Sequence, residues 1–214
     1  MRSSVSRAEL PLDAVKVTVV ALSGSLRNGS YTTMALRTAL RGAADGGADI
    51  KLIDLRDYQL AFAMGAHDST VSASVDRLRA EFRLAHGILL GTPEYHGSFS
   101  GVLKNALDLM GFDEFEGKMI GLVGVSAGRI GAFDALNSLR NVGRALHAWV
   151  VPEQVSIPEA WKVFDETGRI RDSQIEQRLL QVGRRVAEFA RLHECGRAQE
   201  FVESWEGAME NPGG

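Results

Sequence analysis

The sequence predicts an α/β fold in which a parallel β-sheet is covered by helices on both faces, as a three-layer sandwich. Two observations support this prediction. Strand-like and helix-like segments alternate along the 214 residues, which is the order expected of βαβ units. The strand-like segments are almost continuously apolar, as in strands that are buried on both faces of a sheet. Right-handed crossovers then bring the carboxyl ends of the strands to one rim, where ligands bind in such folds.

The first half of the chain supplies two strands and two helices. Residues 16–22 (KVTVVAL) form a short β-branched apolar run, which predicts a buried strand. The helix that follows begins near Tyr31 and stops at Gly46-Gly47, because glycine commonly ends a helix. Residues 49–55 alternate in polarity and predict the second strand. An irregular connection then leads to a helix over about residues 71–84.

The second half continues the alternation with three more strands, predicted over residues 87–92, 118–125 and 148–152. Helical spacing of apolar residues predicts helices over 102–110 and about 132–146, between these strands. A last helix, 173–193, carries five apolar residues at spacings of four, three, four and three, which define one buried face. They are Ile175, Leu179, Val182, Val186 and Phe189.

The composition is that of an ordinary globular protein, with 45% hydrophobic and 24% charged residues. The length suits a single domain, predicted over residues 15–207, between a flexible extension (1–14) and a frayed tail (208–214). A net charge of -3 gives no basic field, which argues against a nucleic acid partner.

The sequence indicates neither a membrane protein nor a metalloprotein. No run approaches the roughly 20 apolar residues of a membrane span, and the first residues lack the apolar middle of a signal peptide. We therefore expect a cytoplasmic protein that does not contact a membrane. The single cysteine, Cys195, excludes an internal disulfide and a cysteine-rich metal site, and we interpret it as a bystander thiol.

The loop after the first strand, residues 22–33 (LSGSLRNGSYTT), has the composition of an anion site. It directly precedes a helix, where free backbone N–H groups and the helix dipole attract negative charge. Hydroxyls and a guanidinium can donate hydrogen bonds to a phosphate. The pattern is neither a Walker loop nor a G-x-G-x-x-G loop, and the alternative is a helix cap beside a solvated arginine. The predicted contacts are Ser23, Ser25, Arg27, Ser30, Tyr31 and Thr32.

The stretch after the third strand, TPEYHGSFSG (residues 92–101), predicts the wall of a flat ligand. Pro93 and Gly97 shape the backbone, and Tyr95 and His96 supply flat side chains. With Glu94 they are the predicted contacts of this loop. The alternative for His96 is an ordinary turn residue.

Several polar residues near these loops are expected to act as caps and ties. Asp54 is interpreted as a strand-end cap rather than a ribose contact. Ser100 is expected to cap the following helix, and Glu94 to cap that helix or to bond within its own loop. Lys104 and Asn105 are expected to tie the same helix back to the loop.

The loop after the fourth strand, residues 124–133 (GVSAGRIGAF), again combines small residues with a positive charge. Its predicted contacts are Ser126, Gly128 and Arg129. One loop would thus take a phosphate, while two loops flank a planar ring. A mononucleotide with a large flat head has that shape, and flavin mononucleotide (FMN) fits it best.

On these residues the chain resembles the NADPH-dependent FMN reductases, a flavodoxin-like group that includes chromate, quinone and azo-dye reductases. The family's phosphate loop, G-S-x-R-x-x-S, is matched at Gly24, Ser25, Arg27 and Ser30. Its flavin-ring loop, P-E-Y-N-x-S-x-P-G-x-L-K-N, is matched at Pro93, Glu94, Tyr95, Ser98, Gly101, Leu103, Lys104 and Asn105. The resemblance spans residues 16–151 and implies a flavodoxin-like, five-stranded parallel sheet with the strand order 2-1-3-4-5.

Three positions depart from the family's pattern. His96 stands where asparagine is frequent, Ser100 where proline precedes the glycine, and Thr32 where asparagine is frequent in the phosphate loop. The first departure touches the flavin edge, where it bears on redox potential or on the preferred acceptor.

The resemblance implies an enzyme that passes hydride from NADPH or NADH through N5 of bound FMN to a small acceptor by a ping-pong mechanism. The compatible acceptors are quinones, azo dyes, chromate, ferric complexes and free flavin, and no catalytic side chain is assigned. The resemblance also implies a homodimer or homotetramer with the flavin near the subunit seam. Leu103, Leu107 and Met110 would form the stripe at that seam, unless they pack on their own sheet.

Two other classes of protein remain compatible with the residues. A flavodoxin-type electron carrier would serve other redox proteins, but such carriers usually show a strongly acidic face and lack an arginine like Arg27 in the phosphate loop. A flavin-free scaffold or sensor would use the same loops as a protein-binding surface. It would hold no FMN and gain no stability from added FMN.

Overall fold

The computed structural model describes residues 15–64 and 72–195, and a parallel sheet runs through its middle. The strands are β1 (Thr18–Ser23), β2 (Asp49–Asp54), β3 (Gly87–Tyr95), β4 (Ser98–Phe99), β5 (Met119–Val125) and β6 (Trp149–Ile157). The parallel strands lie in the order β2-β1-β3-β5-β6, and β4 pairs antiparallel with β3. The five predicted strands therefore keep their predicted neighbours.

The predicted sheet of five parallel strands is confirmed, and the short antiparallel strand β4 is an addition that was not predicted. Two residues are too few to show a polar–apolar alternation, so β4 gave no signal in the sequence. Strands β3 and β6 also run past their predicted ends, since each continues beyond a proline. Pro93 continues β3 toward its pairing with β4, and Pro152 lies on an edge strand, where a missing N–H is tolerated.

The helices are α1 (Tyr31–Asp45), α2 (Ala73–Arg83), α3 (Gly101–Asp108), α4 (Phe112–Phe115), α5 (Phe133–Ala145), α6 (Ala160–Val163) and α7 (Ser173–Glu194). The four-residue helices α4 and α6 were not predicted, and neither was the 3-10 turn Leu55–Asp57. The predicted start of α2 near residue 71, the extension 1–14 and the tail 208–214 lie outside the described residues.

Helices cover both faces of the sheet and form the predicted three layers. Helices α1 and α7 bury their apolar faces in one core, and α2, α3 and α5 bury theirs in the other. The predicted face of α7 is confirmed, with Leu179, Val182 and Val186 fully buried and the two outer residues packed at the core's edge. Helices α1 and α7 pack closely because Gly183 has no side chain. A Cβ at this position would lie 1.8 Å from the carbonyl oxygen of Ala39.

The outer edge of the sheet is irregular. The register of β6 against β5 slips by two residues after Val150, so that residues 151–153 bulge. The guanidinium of Arg140, on α5, fills this bulge by donating to the carbonyl oxygens of Val151 at 3.0 Å and Pro152 at 2.8 Å.

No helix among residues 15–64 and 72–195 has the length and apolar character that crossing a membrane would require.

Candidate functional site

A cavity of about 500 Å³ opens on the rim formed by the carboxyl ends of the strands. Its volume is typical of small-molecule sites, and its position is the one where α/β sheets bind ligands. All three predicted loops contribute to its wall. The predicted site residues that line it are Ser25, Arg27, Ser30, Tyr31, Thr32, Pro93, Glu94, Tyr95, Ser126 and Gly128.

Four predicted contacts lie outside the cavity wall: Ser23, His96, Gly97 and Arg129. Ser23 is fully buried, and its hydroxyl lies 2.9 Å from the Thr33 hydroxyl, so it faces the interior. His96 and Gly97 form the exposed tip of a turn, and Arg129 is exposed on its loop.

The connection after β6 also reaches the cavity, which was not predicted. Ala160 and Trp161 of α6 line it, together with Asn28, Gly29, Val125 and Ala127 from the predicted loops. The available signal was a tryptophan in the polar stretch PEAWKVFDETG, where a large apolar side chain is unexpected.

One end of the cavity is built to hold an anion. Ser30 caps α1, its Oγ accepting from the backbone N–H of Thr33 at 3.3 Å. Within the described part of the chain, nothing accepts from the N–H groups of Tyr31 and Thr32 or from the guanidinium of Arg27. A helix N-terminus with free N–H groups beside an arginine favours a bound phosphate.

The loop that carries Arg27 is braced from the end of β2. Asp54 is confirmed as a strand-end cap, since its carboxylate accepts from the backbone N–H of Arg56 at 3.0 Å. The side-chain hydrogen bond from Arg56 holds the pKa of Asp54 below its ordinary value. Arg56 in turn donates to the side-chain oxygen of Asn28 at 2.7 Å, which fixes the loop next to the cavity.

The second loop is a tight hairpin. Tyr95 pairs with Ser98, and the two residues between them, His96 and Gly97, have φ angles of 51° and 74°. Two successive positive φ values mark a type I′ turn, which suits glycine at the second position. His96 is therefore a turn residue in its backbone conformation, while Tyr95 stands 48% exposed beside the cavity.

Ser100 joins the first two loops. Its buried hydroxyl donates to the carbonyl oxygen of Gly24 at 2.6 Å and accepts from the backbone N–H of Leu103 at 3.2 Å. The second bond confirms it as the N-cap of α3. The N–H of Gly24 donates to the carbonyl oxygen of Gly91 at 2.8 Å, so a second hydrogen bond links the first loop to β3.

Glu94 joins the second loop to the first turn of α5, and both hydrogen-bonding roles predicted for it are wrong. Its Oε2 accepts from the backbone N–H of Ala135 at 3.0 Å. Glu94 thus caps α5, which follows β5, and neither the next helix nor its own loop. Because the partners are 41 residues apart, no local pattern could have indicated this bond.

Lys104 and Asn105 were predicted to tie α3 back to the preceding loop, and this prediction is wrong. Lys104 pairs with Asp108 at 2.7 Å along the same helix. Asn105 instead holds the connection after β2, accepting from the N–H of Ala63 and donating to the carbonyl oxygen of Ala61, both at 3.0 Å. The partners of Asn105 lie 42 and 44 residues away in the chain, so no local pattern could indicate these bonds.

The stripe expected at a subunit seam faces the protein's own core. Leu103, Leu107 and Met110 are 0%, 2% and 8% exposed and belong to the core beneath α3. They therefore pack on their own sheet, and any seam must use other side chains.

The third loop is fixed to the connection after β6. Ser126 donates its N–H to the carbonyl oxygen of Ile157 at 2.9 Å and accepts from the N–H of Ala160 at 3.1 Å. Its side-chain oxygen accepts from the N–H of Gly128 at 3.0 Å. A Cβ on Gly128 would meet nothing closer than that oxygen, at 3.5 Å, so the glycine leaves open space at the wall.

No side chains in the described ranges 15–64 and 72–195 form a group that could hold a metal ion. Cys195 is buried at the end of α7, with its Sγ 3.0 Å from the carbonyl oxygen of Leu192, away from the residues that line the cavity. The residues present do fit FMN, because the cavity combines an anion-binding end with the flat side chain of Tyr95 and the open backbone at Gly128.

Comparison with known proteins agrees with this site. Residues 17–162 match the family model described as NADPH-dependent FMN reductase. An NAD(P)H-dependent FMN reductase of Pseudomonas aeruginosa is 36% identical over 174 residues, covering 77% of this chain and 90% of that protein. An FMN-dependent NADPH-azoreductase of Staphylococcus saprophyticus is 36% identical over 138 residues, covering 62% of this chain and 72% of that protein. The solved structure of FerB, a flavoenzyme NAD(P)H:(acceptor) oxidoreductase from Paracoccus denitrificans, superimposes with a TM-score of 0.62 at 27% identity, over 83% of this chain and 98% of FerB.

Proposed function

The chain belongs to the NADPH-dependent FMN reductase family, and from that premise we propose that the rim cavity binds FMN with its phosphate at the N-terminus of α1. As a member of this family, the protein is an NAD(P)H-dependent oxidoreductase that uses FMN. The observation that carries the proposal is the concentration of unpaired donors at one end of the cavity.

The phosphate end is formed by Ser25, Arg27 and Ser30 with the first N–H groups of α1. Each N–H or guanidinium donor compensates part of the phosphate's negative charge, and Arg27 can offer two parallel hydrogen bonds. The hydroxyls of Ser25 and Ser30 already accept backbone N–H groups, so their protons remain free to donate.

The ring end lies between the second and third loops, against Tyr95, Pro93 and Gly128. FMN, when bound, supplies the hydride chemistry that links NAD(P)H to an acceptor. The chain's own contribution is to hold the flat ring in place and to present backbone N–H groups near it. We assign no catalytic side chain.

NAD(P)H and the acceptor must approach the same cavity, so we propose that they use it in turn, which gives ping-pong kinetics. The azoreductase relative makes an azo dye one candidate acceptor. Quinones, chromate, ferric complexes and free flavin are the other small acceptors that such an opening admits.

We also propose that the protein assembles as a homodimer or homotetramer with the site near the seam. Phe62 and Met64 support this, being 81% and 77% exposed on the segment that Asn105 holds in place. Apolar side chains fixed at the surface are typical of an interface. A monomeric mass by light scattering at micromolar protein concentration would contradict this assembly.

The decisive experiment measures FMN binding to the apoprotein and to Arg27→Ala. Loss of hydrogen bonds to a charged group should weaken FMN binding by about tenfold or more. Arg37→Ala removes the same charge from an exposed position of α1 outside the cavity wall, and it should bind FMN like the parent. Equal affinity of the parent and Arg27→Ala would refute the phosphate assignment.

A second measurement tests the reaction. Flavin absorbance of the holoprotein should bleach on adding NADPH or NADH without oxygen. With a quinone as the acceptor and no partner protein present, oxidation of NADPH or NADH should then continue over many turnovers. An electron carrier would not sustain that consumption.

A further inference from the structure

Trp161 is a large apolar side chain in an unusual place. It is 56% exposed, and it lies in the cavity wall. Leaving an indole in water forgoes much of the stabilisation that its burial would give, so half-exposed tryptophans are common where a ligand covers them. Helix α6, which carries Trp161, has only four residues, so its position depends on contacts with its neighbours.

Those contacts place α6 between the third loop and the anion-binding end of the cavity. On one side, the N–H of Ala160 donates to the carbonyl oxygen of Ser126 at 3.1 Å. On the other side, the ring of Phe164 stacks on Tyr31, the first residue of α1, with ring centroids 5.4 Å apart and planes 18° from parallel. Trp161 is thus held next to the N-terminus of α1.

The indole and its backbone are also fixed from outside the cavity. The ammonium of Lys162 lies 4.9 Å from the Trp161 ring centroid and pairs with Glu159 at 2.7 Å. Glu159 has a φ of 41°, a left-handed conformation that costs energy for a residue other than glycine. Its N–H donates to the carbonyl oxygen of Gly128 at 3.0 Å. Such backbone strain is found where a structure clamps a ligand.

We propose that Trp161 covers the phosphate end of bound FMN and excludes water from it, a role that rests on the proposed FMN site. With water excluded, the attraction between the phosphate, Arg27 and the α1 N–H groups is less screened than in an open site. Residues that shield a charged contact in this way often determine its strength, although they donate no hydrogen bond themselves.

The test measures the dissociation constants of FMN and riboflavin for the apoprotein at low and high salt. Trp161→Ala should weaken FMN binding about tenfold and riboflavin binding much less, because riboflavin lacks the phosphate. Salt should weaken FMN binding more in Trp161→Ala than in the parent, since the phosphate contacts become exposed to ions. Trp161→Phe should keep most of the affinity. Trp149→Phe, on the outer strand β6, is the matched control and should behave as the parent.

The outcomes separate this inference from the proposed function. A parent protein that binds neither flavin overturns the proposed FMN site itself. A parent that binds FMN while Trp161→Ala binds it equally well overturns the role of Trp161 alone. Equal weakening of FMN and riboflavin also overturns it, because Trp161 would then contact the ring. Should Trp161→Ala fail to fold, Trp161→Leu takes its place in the same comparison of FMN with riboflavin at low and high salt, because leucine is still apolar but covers less of the phosphate end than an indole.

Discussion

Ser100→Ala tests whether one hydroxyl holds two loops of the site together. In the parent, this oxygen donates to the carbonyl oxygen of Gly24 and accepts from the N–H of Leu103. Alanine removes both bonds and leaves the Gly24 carbonyl and the Leu103 N–H without these partners. Proline, the residue frequent at this position in the family, could not supply the hydroxyl either.

The expected loss of stability can be estimated bond by bond. Removing a serine N-cap costs about 1 kcal/mol. Leaving a buried carbonyl without its donor costs about 1–3 kcal/mol. The total of about 2–4 kcal/mol corresponds to a fall in Tm of roughly 4–16 °C for a domain of this size. Affinity for FMN should fall as well, because the hydroxyl positions the loop that carries Arg27.

Urea unfolding of the apoprotein, followed by circular dichroism, measures this loss. Ser98→Ala is the matched control, because nothing in the described residues bonds to its hydroxyl, and it should change stability by no more than about 0.5 kcal/mol. A Ser100→Ala variant as stable as Ser98→Ala would refute the view that this oxygen links the loops.

Three further substitutions test other parts of the structure. Gly183→Ala should cost several °C in Tm or prevent folding, because its Cβ would lie 1.8 Å from the Ala39 oxygen, whereas Gly101→Ala meets nothing within 4 Å and should be tolerated. Glu94→Ala should lower stability by about 1 kcal/mol through the lost cap on α5, while Glu94→Gln, which keeps an acceptor, should lower it less in the same urea titration. Burial lowers the pKa of Lys118 from 10.5 to about 8, so between these values the unfolded chain binds more protons than the folded one. Unfolding free energy relative to Lys118→Met should therefore rise as pH increases from 8 to 10.5, and a flat difference would contradict it.

The sequence was sufficient for the features that depend on neighbouring residues. Apolar continuity predicted the five parallel strands, and hydroxyls or glycines at strand ends predicted the three loops of the rim. It was insufficient where a partner is distant in the chain. Neither the hydrogen bond between Glu94 and α5 nor the one between Asn105 and Ala61 produces a recognisable pattern in the local sequence.

Short elements escaped prediction for a different reason. Strand β4 has two residues and α6 has four, and a periodicity needs more residues than that to be recognised. Both are held by tertiary contacts, β4 by its pairing with β3 and α6 by its bonds to the third loop. The part of the cavity wall that the sequence missed therefore belongs to α6.

The bulge in β6 also limits how copies of this protein can associate. An exposed edge strand normally offers a row of free carbonyl and N–H groups on which another chain can extend the sheet. Here Arg140 already occupies the carbonyl oxygens of Val151 and Pro152, and proline has no N–H to offer. The bulged part of this edge is thus a poor template for pairing with another strand, and an association there would use side-chain surfaces instead of a continuous sheet.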